Sequence, residues 1–310
     1  MARATSATHW GLVLAGGDGT RLQDLTREIT GAPIPKQYCR LLGKQSLLEA
    51  TLARSRQFAP FERTLVIVNR DHLEVGREQL HPLPFENVLV QPCNRDTGPG
   101  LLFALLHLGH RSPTATVAVF PSDHYVGNDQ VFIAHVQRAA RIVGEYPEKV
   151  VILGIRPDRP EPGYGYITPA HPFPTRSGTG GAFRVAAFRE KPTRDLASSL
   201  LTQGGLWNSF VMVFKLGRML ELLRCVAAEE FQRMWQLSGD PSRLTNVYRD
   251  LRPWNFSTQV LVRIPQHLVV LRVEDVHWSD WGTRESIEQT LKALNKNAPW
   301  LTYGRPPAAA

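Results

Sequence analysis

Short apolar runs alternating with amphipathic stretches leave a chain few folds, because each run must bury both faces against the stretches that flank it. Here residues 11–15, 65–69, 88–91, 117–120 and 150–155 are short and rich in Val, Leu and Ile. Between them, residues 46–58, 98–108 and 131–145 carry apolar side chains at helical spacing. This βαβα rhythm predicts a largely parallel sheet covered on both faces, with ligands held beyond the carboxyl ends of its strands.

After about residue 156 the rhythm changes to Pro- and Gly-rich turns. Strands are expected at 164–168, 183–189 and 209–214, then helical stretches and a late strand at 268–273. The segment 169–181 (PAHPFPTRSGTGG) reads as an exposed loop, and the tail 305–310 (RPPAAA) as disordered. The fold class is therefore α/β, a Rossmann-like three-layer sandwich with a mixed, mostly parallel central sheet.

The chain has 310 residues, 43% of them hydrophobic, which is enough for a sizeable core. No apolar run reaches the roughly 18 residues of a membrane span, and MARATSATHW lacks the apolar core of a secretory signal, so a cytoplasmic protein is expected. Cys39, Cys93 and Cys225 are widely spaced and odd in number, which suggests neither a disulfide framework nor a zinc site. The formal net charge of +8 comes from scattered Arg and Lys, so small anions rank ahead of nucleic acid as partners, and no membrane partner is expected.

The first strand runs into Gly16-Gly17-Asp18-Gly19-Thr20-Arg21-Leu22. A dinucleotide fingerprint would need a third glycine where Leu22 stands, and a P-loop would need Gly-Lys-Ser/Thr. What remains is a tight loop whose N–H groups can approach an anion, with Arg21 after it and Lys36 in Pro35-Lys36-Gln37, a combination that suits a polyphosphate. Taken alone, such a loop is about as often only a turn.

Several motifs in fixed order break that tie. Leu14 to Leu22, Pro35-Lys36-Gln37, Gln91 to Pro99 and Pro121-Ser122-Asp123-His124 together resemble the sugar-phosphate nucleotidylyltransferases. Gly163-Tyr164-Gly165-Tyr166-Ile167, Glu190-Lys191-Pro192, Trp207-Asn208-Ser209 and Trp278-Ser279-Asp280-Trp281-Gly282 extend the likeness, which looks strongest to the mannose-1-phosphate guanylyltransferase group. It spans roughly residues 10–294 and implies one GT-A-like nucleotidyltransferase domain there. Residues 1–9 would be an N-terminal extension and 295–310 a C-terminal tail. The segment 23–34 is longer and more charged than the family usually shows.

The resemblance implies attack of a sugar-1-phosphate oxygen on the α-phosphorus of a nucleoside triphosphate, GTP with mannose 1-phosphate in that group, releasing pyrophosphate. The nucleophile is already an anion, so catalysis rests on positioning two mutually repelling anions and neutralising charge. It implies Mg²⁺ held by Asp123 and Asp280, and Arg21, Lys36 and Lys191 as catalytic cations. Leu14, Ala15, Gly16, Gly17, Gly19, Thr20, Arg21, Lys36 and Ser122 would line the nucleotide, with Gln91, Asn94 and Thr97 at the base. Tyr164, Gly165, Glu190, Lys191 and Asn208 would hold the sugar phosphate, and a homodimer is left open.

Read without the resemblance, Asp123 is more readily a turn residue or helix N-cap and Asp280 an N-cap to the helix after it, Thr97 a helix cap, and Lys191 a solvated strand-end charge. His124 has no necessary proton transfer and reads as orienting or structural. Two other functions use related parts. A metal-dependent glycosyltransferase would show D-x-D, and no two aspartates lie two apart here. A non-catalytic nucleotide-sugar binder would have no need for all five charged residues, Arg21, Lys36, Asp123, Lys191 and Asp280.

Overall fold

The computed structural model describes residues 8–176, 180–236, 241–298 and 300. Nine strands form its sheet: β1 (His9–Ala15), β2 (Thr64–Asn69), β3 (Val88–Gln91), β4 (Thr116–Pro121), β5 (Val150–Ile155), β6 (Tyr166–Pro172), β7 (Ala182–Arg189), β8 (Leu206–Lys215) and β9 (Leu268–Val273). Their order is β3-β2-β1-β4-β8-β5-β9-β7-β6, and β6 also pairs with β8. The strands β1 to β4 run parallel, and β5 and β9 run parallel to each other. β8 lies antiparallel between β4 and β5, and β7 lies antiparallel to β9 and β6. Seven strands therefore point one way and two the other, a mixed sheet with a mostly parallel core.

Alternate side chains of the central strands go to opposite layers, as a strand's period of two requires. Leu12, Leu65, Ile67, Val117 and Val119 pack with the helices Thr97–Arg111 and Leu216–Val226 on one face. Val13, Ala15, Val66, Val68, Ala118 and Phe120 pack with Leu47–Arg56 and Asp129–Glu145 on the other. Three of these helices start where side chains satisfy their free N–H groups: Ser46 and Glu49 form a capping box on Leu47–Arg56, Asp96 caps Thr97–Arg111, and Asn128 caps Asp129–Glu145. Among the described residues no helix is long and apolar enough to cross a membrane.

A smaller third cluster fastens the segment after β1 to the segment after β9. Leu22, Leu25, Cys39 and Leu41 pack against Trp281, Ile287, Leu291, Ala298 and Trp300, with Tyr125 stacked on Trp281 at 4.5 Å. Trp300 donates to the Leu41 carbonyl at 2.9 Å, and Lys296 donates to the Tyr125 hydroxyl at 2.9 Å. Trp281 is fully buried, so truncating it to Ala would cost about 3–5 kcal/mol and loosen the loop that follows β1.

One expectation is corrected. Residues Pro169–Pro172 of the expected loop continue β6, where prolines are tolerated because the strand lies at the edge of the sheet and its pairing with β7 is interrupted by bulges. The expected tail 305–310 falls outside the described residues.

Candidate active site

The glycine loop leaves β1 at the carboxyl edge of the sheet and is held from below by the segment after Pro35. Gln37 donates to the carbonyls of Ala15 and Gly17 at 3.2 and 2.7 Å, and the Tyr38 hydroxyl to Ala15 at 2.9 Å. Gly19 has φ of +61°, and a Cβ there would press on Pro35 and the Lys36 amide, so glycine is required at that turn. Asp18 sits between the glycines and accepts hydrogen bonds from Asn69 at 3.1 Å and Asn94 at 2.9 Å, with His72 at 3.5 Å. Those donors hold its charge back from the anion side of the loop.

This loop forms one wall of a cleft of about 610 Å³, a size that suits a nucleotide with a sugar beside it. Gly16, Gly17, Gly19, Arg21, Gln91, Asn94 and Thr97 line one part of it, and Tyr164, Gly165, Glu190, Lys191 and Asn208 the other. Leu14, Ser122, Asp123 and Asp280 line it as well. Ala15, Thr20 and Lys36 do not reach the lining: Ala15 is buried under the loop, Thr20 is exposed, and Lys36 is buried behind the two aspartates.

Lys36 organises the floor. Its Nζ donates to the carbonyls of Asp280 and Trp281, the latter at 3.0 Å, and stands 3.4 Å from Asp123 Oδ2. Three partners match the three N–H bonds of an ammonium. Burial opposes ionisation of Asp123, yet the neighbouring Lys36 ammonium outweighs that and holds its carboxyl below the ordinary value. Burial pushes the His124 imidazole down against the pull of Asp123, which favours a neutral ring packed edge-on against Trp278.

The Asp280 carboxylate accepts from the Tyr164 hydroxyl at 2.9 Å and from the Gly282 amide at 2.8 Å. Burial, and then the charge of Asp280, push the Tyr164 phenol well above its ordinary value, so it stays a donor. Neither aspartate caps a helix, since Asn128 and Thr283 hold those positions. Both carboxylates are thus available to the cleft. Among the described residues no three His, Cys, Asp or Glu side chains gather around a metal position. Two carboxylates on one floor nevertheless fit Mg²⁺, which usually takes one or two from the protein and the rest from phosphate and water.

Other expected contacts are engaged within the protein. Gln91 donates weakly to Gly16 and accepts from Tyr248 at 2.9 Å, and Asn94 is turned to Asp18. The Ser122 hydroxyl donates to the Leu14 carbonyl at 2.7 Å, joining β4 to β1. Thr97 accepts from the Phe256 amide at 3.0 Å, and the helix that begins at Thr97 is capped by Asp96. Asp96, Lys191 and Phe210 all have positive φ and all line the cleft, a concentration of backbone strain typical of functional sites. A Cβ on Gly165 would meet Glu190 Oε2 at 2.6 Å, so the glycine admits that carboxylate to the pocket.

A family model described as nucleotidyl transferase matches residues 10–297. The chain belongs to that family. Within it, the chain is 32% identical over 286 residues to the xanthan biosynthesis protein XanB of Xanthomonas campestris, covering 89% of this chain and 58% of that protein. It is 31% identical over 290 residues to mannose-1-phosphate guanylyltransferase 2 of Escherichia coli O157:H7, with the same two coverages. The chain thus spans just over half the length of these curated relatives. A solved structure titled mannose-1-phosphate geranyltransferase, from Thermus thermophilus, superposes with a TM-score of 0.80 at 31% identity, covering 92% of this chain and 79% of that one. A nucleotidyl transferase family member with this mixed sheet is the outcome that the motif order predicts.

Residues not among the expected contacts complete the site. Asp18, Tyr38, Tyr248, Asn255 and Ser257 hold or line the cleft. Asp18 carries the one local signal, a carboxylate inside a loop otherwise suited to anions. Asn255 and Ser257 reach the cleft only through tertiary packing, so nothing in their own segment marks them.

Proposed function

We propose that this protein transfers a nucleotidyl group from a nucleoside triphosphate to a sugar 1-phosphate, releasing pyrophosphate. The observation that carries this reading is the meeting of Asp123, Asp280 and Lys36 on one floor, between the glycine loop and the Glu190-Lys191 segment. A phosphate oxygen of the sugar phosphate attacks the α-phosphorus, the new P–O bond forms, and the bond to the β-phosphate oxygen breaks in line.

The glycine-loop amides and Arg21 bind and neutralise the triphosphate end that departs. Lys191 holds the sugar phosphate, and Glu190 accepts hydrogen bonds from sugar hydroxyls beside Gly165 and Asn208. Lys36, buried and fully paired, keeps Asp123 and the Asp280 turn in register. Asp123 and Asp280 would hold Mg²⁺, which would supply charge neutralisation at the reacting phosphates. Guanine as base and mannose as sugar are supported by the names of the relatives at 31–33% identity.

The test crosses the common nucleoside triphosphates with a set of sugar 1-phosphates, with and without Mg²⁺, and follows pyrophosphate release. Metal-dependent release with GTP and mannose 1-phosphate is expected. Release with a different pair would change the substrates, and none with any pair would overturn the reading.

A further inference from the structure

Gln91 ends β3 at the carboxyl edge of the sheet, 3% exposed, and its amide is enclosed from three sides. The Tyr248 hydroxyl donates to its Oε1 at 2.9 Å, a hydrogen bond between two buried side chains 157 residues apart. At the other end of the amide, Nε2 donates to the Gly16 carbonyl at 3.4 Å. A Cβ on Gly16 would come within 2.4 Å of Nε2, and one on Gly100 within 3.0 Å of Oε1. The glycine loop and the helix Thr97–Arg111 thus leave the amide only the room it fills. Gln91 and Gly100 line the cleft, while Tyr248 stands fully buried behind them.

We propose that Tyr248 is a positioning residue for base recognition, its hydroxyl fixing which way round the Gln91 amide sits. This rests on the reading of Gln91 as a base-side residue. The two ends of an amide have nearly the same shape and opposite hydrogen-bonding character, so packing alone does not choose between them. The Gly16 carbonyl can only accept, which calls for Nε2 on that side, and the Tyr248 hydroxyl supplies the donor that Oε1 then needs. One N–H of Nε2 meets Gly16, and the other remains for a ligand. Turned over, the amide would set two oxygens against each other at Gly16 and offer a base an acceptor in place of a donor.

The surroundings of Tyr248 suit that task. Its ring packs edge-on against Phe103, with centroids 6.0 Å apart. Burial pushes the phenol well above its ordinary value, so the hydroxyl keeps its proton. A phenylalanine would keep the ring packing and lose the bond to Gln91.

The test compares Tyr248→Phe, Gln91→Ala and the double variant with wild type in the full chain. For Tyr248→Phe the preference in kcat/KM for the best nucleoside triphosphate over the other common ones should fall about three- to tenfold, the size expected for one hydrogen bond. The KM for the sugar 1-phosphate should stay within twofold. In the Gln91→Ala background the same change should leave the preference where it is, since the amide it orients is gone. An unmoved preference, with or without a lower melting temperature, or the same fall in both backgrounds, would overturn the assignment. Proton exchange at the ¹⁵N-labelled Gln91 side-chain amide, identified by loss of its signal in Gln91→Ala, gives a readout independent of turnover and should be faster in Tyr248→Phe. If wild type turns over no pair of substrates, the functional reading fails. Faster exchange would still support the orienting role, and unchanged exchange would refute it.

Discussion

Lys36 donates to the Trp281 carbonyl at 3.0 Å from a position that is 5% exposed, and the same Nζ stands 3.4 Å from Asp123. One ammonium therefore ties the turn after β4 to the turn after β9. Lys36→Met should leave two carbonyls without their donor and cost about 2 kcal/mol of stability. It should also lower turnover about a hundredfold or more through loss of the charge beside Asp123. The urea midpoint and steady-state rates check both effects, and a loss of rate with no loss of stability would place Lys36 against the substrate instead.

Asp280→Asn keeps an oxygen to accept from Tyr164 and Gly282 but removes a charge from the floor. The melting temperature should stay close to wild type while turnover falls by about 10²-fold or more. Binding of Mn²⁺, followed by electron paramagnetic resonance in the absence of turnover, should weaken in parallel.

Arg21 and Lys191 are exposed cations on opposite parts of the cleft, so their removal should separate the two substrates. Arg21→Ala should lower turnover by about 10²–10³ through the triphosphate. Lys191→Ala should lower kcat/KM for the sugar phosphate about tenfold or more and leave triphosphate binding near wild type. Titrating each substrate against each variant checks the pair, and the opposite pattern would exchange the two halves of the site.

Glu190 has a pKa raised by burial in the folded protein, so its contribution to stability is fully present below the ordinary carboxylate value of about 4.3 and is lost as pH rises through the folded value. Glu190→Gln removes that loss. The variant should be more stable than wild type at neutral pH, with the difference vanishing towards pH 4, while sugar-phosphate use declines. Thermal melts across pH 4–8 measure the difference, and a variant less stable at pH 7 would contradict it.

The parallel half of the sheet was legible because each strand is a short Val- and Leu-rich run with an amphipathic helix after it. The same local signals placed Asp123 and Asp280 at strand-following turns without deciding whether they cap helices. That required seeing Asn128 and Thr283 in the capping positions. Proline-rich composition concealed the end of β6, since local chemistry does not tell an edge strand from a loop. The contact between Asn255 and Asp96 joins residues 159 apart, and that of Lys36 with Trp281 residues 245 apart. Neither leaves a trace in local pattern, because each is made only when distant segments pack together.

The reach from Lys36 to Trp281 also governs timing. During synthesis at about 5–20 residues per second, the glycine loop and β4 are made well before the turn after β9 leaves the ribosome. Until then the ammonium of Lys36 has water in place of the Asp280 and Trp281 carbonyls, and the floor of the cleft does not exist. Contacts of such long separation form slowly and late. A nascent chain halted before residue 281 should therefore carry the glycine loop and still lack an assembled reaction centre.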